Sequence, residues 1–178
     1  MNIETIKVGP LQTNCYILNF NGRALVIDPG DDYYILKRYL MERDIVAVLI
    51  THGHDDHIGA VSSIVEKHHV PVYSKENLNE GKYEFGPFHF EVIYTPGHTS
   101  DSVTYFFHEY NFLFSGDFLF KHTVGRMDLE TGSADDMKYS LEKIYEYSDR
   151  IIVYPGHGDK TTLGEEKREN QYFNWIKR

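Results

Sequence analysis

Apolar and polar positions along the chain follow two periods in turn. Strand-like runs occupy residues 3–8, 15–20 and 24–28. Asn21-Gly22, between the second and third runs, is the dipeptide of a tight two-residue hairpin. Asp28-Pro29-Gly30 stops the third strand. From Asp31 the spacing of Tyr34, Ile35, Tyr39 and Leu40 predicts an amphipathic helix over about residues 31–43. Val46-Ala47-Val48-Leu49-Ile50 is apolar without a break, as expected of a strand covered on both faces, and it runs directly into Thr51-His52.

After a group of histidines, Ile58, Val61, Ile64 and Val65 share one face of a second predicted helix. Further strands are predicted at residues 71–73, 88–94, 103–107 and 111–115. Met137, Leu141, Ile144 and Tyr145 mark a helix over residues 134–147, and residues 151–154 form a last buried strand. The charged segment from Gly164 closes with Tyr172, Phe173, Trp175 and Ile176, the apolar side of a final docked helix. Strands and helices interleave, and polar side chains recur where strands end. The expectation is an α/β layered domain with its ligands along one edge of its sheets.

Size and charge narrow the function. A chain of 178 residues fits one domain spanning 1–178. Its formal net charge of −9 repels phosphate backbones and argues against nucleic acid as a partner. The single cysteine, Cys15, rules out an internal disulfide and suits a reducing compartment; within an apolar strand it reads as a small core residue. No basic region followed by an apolar stretch opens the chain, and no apolar run reaches spanning length. A cytoplasmic, soluble protein without a membrane partner is expected; the oligomeric state is not legible.

The chemistry begins at His52-Gly53-His54-Asp55-Asp56-His57. His52 and His54 lie two apart, so an extended backbone projects them to one side. Asp56 and His57 follow where the chain turns into a helix, which swings them toward a neighbouring point. That geometry can feed two adjacent cations, and imidazoles with carboxylates suit zinc, iron or manganese. Three more strand ends bear potential ligands beside glycine: Gly97-His98, Gly116-Asp117 and Gly156-His157. Asp28 is either a partner for a ligand histidine or a strand-ending turn residue.

This set resembles the metallo-β-lactamase superfamily, in particular its short glyoxalase II-like hydrolases. The resemblance runs from Thr13-Asn14-Cys15-Tyr16 and Ile27-Asp28-Pro29-Gly30 through the histidine motif to Gly164-Glu165-Glu166-Lys167-Arg168. It implies an αβ/βα four-layer sandwich with two divalent metal ions at one edge, zinc first, with iron or manganese as alternatives. His52, His54 and His98 would hold the first ion; Asp56, His57 and His157 the second; Asp117 would bridge. The implied reaction is hydrolysis of a small thioester such as S-D-lactoylglutathione by a metal-bridging hydroxide, with Asp56 and Asp117 as catalytic residues.

The resemblance also frames the substrate question. Val124-Gly125-Arg126 fills the stretch where glyoxalase II enzymes hold a glutathione carboxylate, so Arg126 is either a substrate anchor or the ion-pair partner of Asp128. Asp128 stands where those enzymes have Tyr, Thr99-Ser100-Asp101-Ser102 departs from their usual Thr-Pro-Gly-Ser, and their helical C-terminal domain has no counterpart before Arg178. Among the other histidines, His122 alone is placed to face substrate. His54 stands where flavodiiron oxygen reductases have Glu, which counts against an iron oxidase. The alternatives are a persulfide dioxygenase with one iron at the equivalents of His52, His98 and Asp117, and a non-catalytic metal-binding or scaffold protein.

Overall fold

The computed structural model describes residues 1–176, and the last two residues of the expected 1–178 span lie outside the described residues. The first half builds strands β1 (Asn2–Val8), β2 (Thr13–Phe20), β3 (Arg23–Ile27), β4 (Asp44–Leu49) and β5 (Val72–Tyr73) into one sheet in that order. Its first three strands run antiparallel, and β3, β4 and β5 are parallel. Parallel neighbours need crossovers. These are supplied by α1 (Tyr33–Leu40) and by α2 (Asp55–Ile58) with α3 (Val61–His68).

The second half adds β6 (Gly81–Phe85), β7 (Phe88–Tyr94), β8 (Val103–Phe107), β9 (Phe112–Gly116), the small hairpin β10 (Leu119–Phe120) and β11 (Thr123–Val124), α4 (Ala134–Tyr145), β12 (Ile152–Pro155), β13 (Thr161–Thr162) and α5 (Leu163–Glu169). Six of these strands form a second sheet in the order β13-β12-β9-β8-β7-β6.

Three apolar clusters define four layers. Leu18, Leu25, Ile27, Ala47 and Leu49 of the first sheet meet Phe88, Phe90, Val92, Tyr105 and Phe114 of the second. The opposite face of the first sheet, with Val26 and Val48, packs on Leu36, Leu40 and Ile64 of its helices. The outer face of the second sheet, with Ile93, Leu113 and Val153, packs on Met137, Leu141, Ile144, Leu163 and Phe173. Strand β4 therefore buries alternate residues in two cores, as its unbroken apolar run predicts. The arrangement is the αβ/βα four-layer sandwich. Among the described residues, no helix is long and apolar enough to cross a membrane.

Several elements differ from expectation. The single helix expected after the histidines is two, because Gly59 and Ala60 lie against the Asp28-Pro29-Gly30 turn. A Cβ on Gly59 would stand 2.3 Å from the Gly30 carbonyl oxygen, and Ala60 N donates to Pro29 O at 2.9 Å. Strand β6, although Lys82-Tyr83-Glu84-Phe85 alternates polar and apolar, and the two-residue strands β10, β11 and β13, too short for a period, were not expected. The segment from Gly164, expected to end in one docked helix, divides between α5 and a 3₁₀ turn, Gln171–Trp175, in which Phe173 is buried and Trp175 stays 41% exposed.

Candidate metal centre

Seven polar side chains meet where strands of both sheets end. His52 and His54 follow β4, and Asp56 and His57 start α2. His98 follows β7, Asp117 follows β9 and His157 follows β12. The last strands approach closely: Gly156 N donates to Gly116 O at 2.8 Å. A Cβ on Gly156 would lie 2.2 Å from Asp117 Oδ1 and 2.7 Å from His57 Cε1, so only glycine leaves room for those two groups.

Two trios of ligand atoms result. His54 Nδ1 lies 3.0 Å from His52 Nε2 and 3.0 Å from His98 Nε2. Ligands placed ~2.0–2.1 Å from a tetrahedral ion stand ~3.3 Å apart, close to that spacing. In the second trio, Asp56 Oδ2 is 3.4 Å from His57 Nε2 and 3.2 Å from His157 Nε2. Asp117 lies between them, with Oδ1 3.3 Å from His57 Nε2 and Oδ2 3.6 Å from His98 Nε2 and 3.5 Å from His157 Nε2.

What is left unpaired shows whether cations fit. His57 Nε2 and Asp117 Oδ1 are buried and have no hydrogen-bond partner. Buried polar atoms are nearly always paired, so two such atoms facing each other mark a place for an ion. Nitrogen and carboxylate donors without sulfur suit zinc, iron or manganese. The residues fit two divalent ions.

Partners behind the rings decide which nitrogen faces inward. His57 Nδ1 lies 2.9 Å from Asp28 Oδ2, His98 Nδ1 2.8 Å from Arg126 O, and His157 Nδ1 3.1 Å from Leu11 O. Each contact directs Nε2 into the site. Asp28 is 1% exposed, has a left-handed backbone (φ 50°), and also accepts from Thr51 N at 2.8 Å and Thr51 Oγ1 at 2.6 Å. Both readings of Asp28 hold at once: it ends the strand and it holds His57. Asp56 Oδ2 accepts from Thr13 Oγ1 at 2.8 Å, which fixes a carboxylate on the open side of the site.

The electrostatics follow from crowding charges in little water. Burial, with His57 nearby, pushes His52 down to about 3. Burial also opposes charge on His57, but the Asp28 carboxylate, with Asp117, outweighs it and raises that imidazole to about 10. Asp117 is held well below the usual carboxylate range although burial opposes this, because His157 and His57 surround it. The carboxylates on either side of His57 thus favour positive charge at this point, charge that cations would supply.

The two candidate substrate residues are occupied elsewhere. Arg126 donates to both oxygens of Asp128, at 2.7 and 2.8 Å, with both side chains largely exposed. His122 sits at the tip of the β10–β11 hairpin with Nε2 2.8 Å from Glu165 Oε1. Cys15 is buried, and burial drives its thiol upward, away from nucleophile behaviour. Sequence reading passed over Asp101, whose Oδ2 accepts from Gly53 N at 2.9 Å and ties the His98 loop to the His52–His54 segment. It also missed the carbonyls of Arg126 and Leu11, which no residue identity could reveal. Beside His54 lies an open cavity of about 410 Å³, bounded by Thr99, Asp101, Leu129, Glu130 and Thr131.

Comparison with known proteins agrees with this geometry. The family model described as Metallo-beta-lactamase superfamily matches residues 8–80 and 75–157. "Probable metallo-hydrolase YqgX" of Bacillus subtilis (strain 168) is 32% identical, covering 98% of each chain. "Hydroxyacylglutathione hydrolase GloC" of Haemophilus influenzae is also 32% identical, over 98% of this chain and 99% of its own. Among solved structures, BLEG-1 B3 metallo-beta-lactamase superposes with a TM-score of 0.91 at 34% identity, covering 96% of this chain and 99% of that one. TTHA1623 in a di-iron-bound form gives 0.87 at 33% identity, over 95% and 99%. ETHE1 from Myxococcus xanthus gives 0.86 at 28% identity, over 96% and 84%.

Proposed function

The chain belongs to the metallo-beta-lactamase superfamily, and from that premise we propose that it hydrolyses a small thioester, such as S-D-lactoylglutathione, at a centre of two divalent cations. The coarser statement, a metal-dependent hydrolase, rests on the family, on the metallo-hydrolase relatives and on the clustered ligands. The observation that carries the two-cation centre is the complete set of seven donors with two buried atoms left unpaired between them.

His52, His54 and His98 are assigned to the first ion, Asp56, His57 and His157 to the second, and Asp117 to both. Zinc is the first candidate. The di-iron form of TTHA1623 keeps iron in view, and manganese suits the same donors. Two such ions would supply a water acidic near neutral pH and Lewis acidity toward a carbonyl.

The protein's own groups supply orientation. Asp28, the Arg126 carbonyl and the Leu11 carbonyl hold three imidazoles so that their ring nitrogens need not reorganise during the reaction. Thr13 fixes Asp56, which faces the solvent side and can accept a proton there. The cavity beside His54 offers space for the part of the substrate that does not react. The thioester class draws support from the Haemophilus relative named as a hydroxyacylglutathione hydrolase. The Arg126–Asp128 pair leaves no free guanidinium at that position to read a glutathione carboxylate, so the acyl thioester, rather than the glutathione portion, is the proposed determinant.

The test is metal analysis of purified protein together with loss of thioester absorbance. Two ions per chain and turnover of S-D-lactoylglutathione or a simpler thioester are expected. One iron per chain, no thioester turnover and oxygen uptake with glutathione persulfide would replace this reading with a dioxygenase. Protein that takes up no metal at all would leave a scaffold.

A further inference from the structure

The β10–β11 hairpin separates two parts of the candidate centre. Asp117 lies two residues before β10, and Gly125-Arg126 follows β11 directly. The hairpin base is pressed onto the site: a Cβ on Gly125 would stand 1.9 Å from Asp117 O and 3.0 Å from the His98 ring. Arg126 O is the acceptor that orients His98. Phe120 of β10 places its ring 6.1 Å from that of His157. Two of the seven donors, Asp117 and His98, are set by the hairpin base, and a third, His157, borders its first strand.

Two strands of two residues each cannot hold such a hairpin by pairing alone. Its tip is held from outside. Glu166 of α5 has no exposure to solvent. Its Oε2 accepts from His122 N at 2.8 Å and from Asn170 Nδ2 at 2.9 Å, while Oε1 accepts from Thr161 Oγ1 at 2.7 Å. Asn170 Nδ2 also donates to Thr123 O at 3.0 Å, so His122 at the tip and Thr123 at the start of β11 are gripped by acceptor and donor together. His122 adopts a left-handed backbone (φ 63°), a conformation that a non-glycine residue keeps only when its surroundings impose it. A buried carboxyl costs stability unless its oxygens are hydrogen-bonded, and here they are.

We propose that Glu166, with Asn170, is a positioning residue of the metal centre: it fixes the hairpin tip so that Asp117, His98 and His157 keep the spacing that two cations need. Glu166 touches no ligand atom and acts through the backbone of residues 117–126. The inference rests on the metal-centre reading above.

Glu166→Ala leaves the His122 N–H without an acceptor. Glu166→Gln can keep it, because the amide oxygen can face His122 N and Asn170 while the Thr161 hydroxyl accepts from the amide nitrogen. Asn170→Ala breaks the Thr123 contact with Glu166 intact, and serves if Glu166→Ala does not fold. Leu36→Val and Leu36→Ala, in the helical layer behind the other sheet, lower stability without touching the hairpin and give the reference line. Each protein is loaded with cobalt(II), and its visible spectrum, its rate of ion release to a chelator and its melting temperature are measured. Amide exchange of residues 118–125 is followed in the metal-free form.

Glu166→Ala and Asn170→Ala should release cobalt at least ~10-fold faster than Leu36 variants of equal melting temperature, the range found for groups that orient ligands. Their cobalt spectra should shift, their hairpin amides should exchange faster, and Glu166→Gln should restore most of the wild-type behaviour. Release rates that fall on the Leu36 line with unchanged spectra would reduce Glu166 to a purely structural group. Wild-type protein that retains no cobalt would overturn the metal centre itself, and this inference with it.

Discussion

Among the described residues, two regions gather histidine and carboxylate atoms closely enough to hold a cation: one around His57 and Asp117, the other formed by His122, Glu165 and Glu166. They are alike in composition and opposite in hydrogen bonding. In the first, His57 Nε2 and Asp117 Oδ1 are buried with no partner. In the second, both oxygens of Glu166 accept hydrogen bonds, and His122 Nε2 meets Glu165. An ion entering the second cluster would have to displace the hydrogen bonds of a fully paired carboxyl, whereas the first holds two buried atoms that no hydrogen bond satisfies. Residue type nominates a metal site; unpaired atoms distinguish it from a clamp.

The largest break in that contrast comes from Asp117→Asn. The substitution keeps the volume and turns one of the acceptors into a donor facing the space assigned to cations. Bound metal should fall and hydrolysis should drop at least ~100-fold, beyond what loss of an orienting partner costs. Metal analysis and thioester turnover read both effects. Wild-type metal content with wild-type turnover would remove Asp117 from the centre.

Asp28→Asn probes the same cluster from one step behind. Asp28 accepts from His57 and twice from Thr51, and an amide cannot accept from all three. His57 then keeps at most a neutral amide oxygen in place of a carboxylate, and metal affinity should fall by ~10–100-fold with the four layers intact. Chelator competition measures it. Unchanged affinity would show that Asp28 only shapes the turn.

How much of this could be read beforehand follows the same division. His52, His54, Asp56 and His57 stand out because polar ligands directly follow a buried apolar strand, and Gly-His or Gly-Asp at three other strand ends repeats the signal. That β4 is covered on both faces was legible in its unbroken apolar run, and its alternate residues enter two cores; the αβ/βα order of the layers was implied only by the family resemblance. The break at Gly59 was not, since it depends on contact with Gly30, distant in sequence. Strands of two residues, such as β10 and β11, have no period to detect. The carbonyls of Arg126 and Leu11 leave no trace in residue identity. Glu166 stood in a motif of the family resemblance without a role of its own, and only the fold shows it buried against His122. The ligands were legible because side-chain chemistry defines them; their supports were not, because backbone placement defines those.

The smallest expected effect sharpens the contrast from the other side. Glu165 and His122 are partly exposed, and Lys121 Nζ lies 3.7 Å from Glu165 Oε1. A lysine ammonium at that distance already supplies the positive charge that a cation would bring. Exposed ion pairs of this kind add little to stability, because water and salt screen them. Glu165→Gln keeps an acceptor for His122 and removes only the charge. Metal content per chain, turnover and melting temperature should therefore all match wild type, in contrast to Asp117→Asn, where charge removal acts on an unpaired buried atom. Loss of one bound ion per chain on Glu165→Gln, with the main centre still loaded, would make the second cluster a metal site after all. It would also show that paired atoms do not protect a cluster of this composition from occupation.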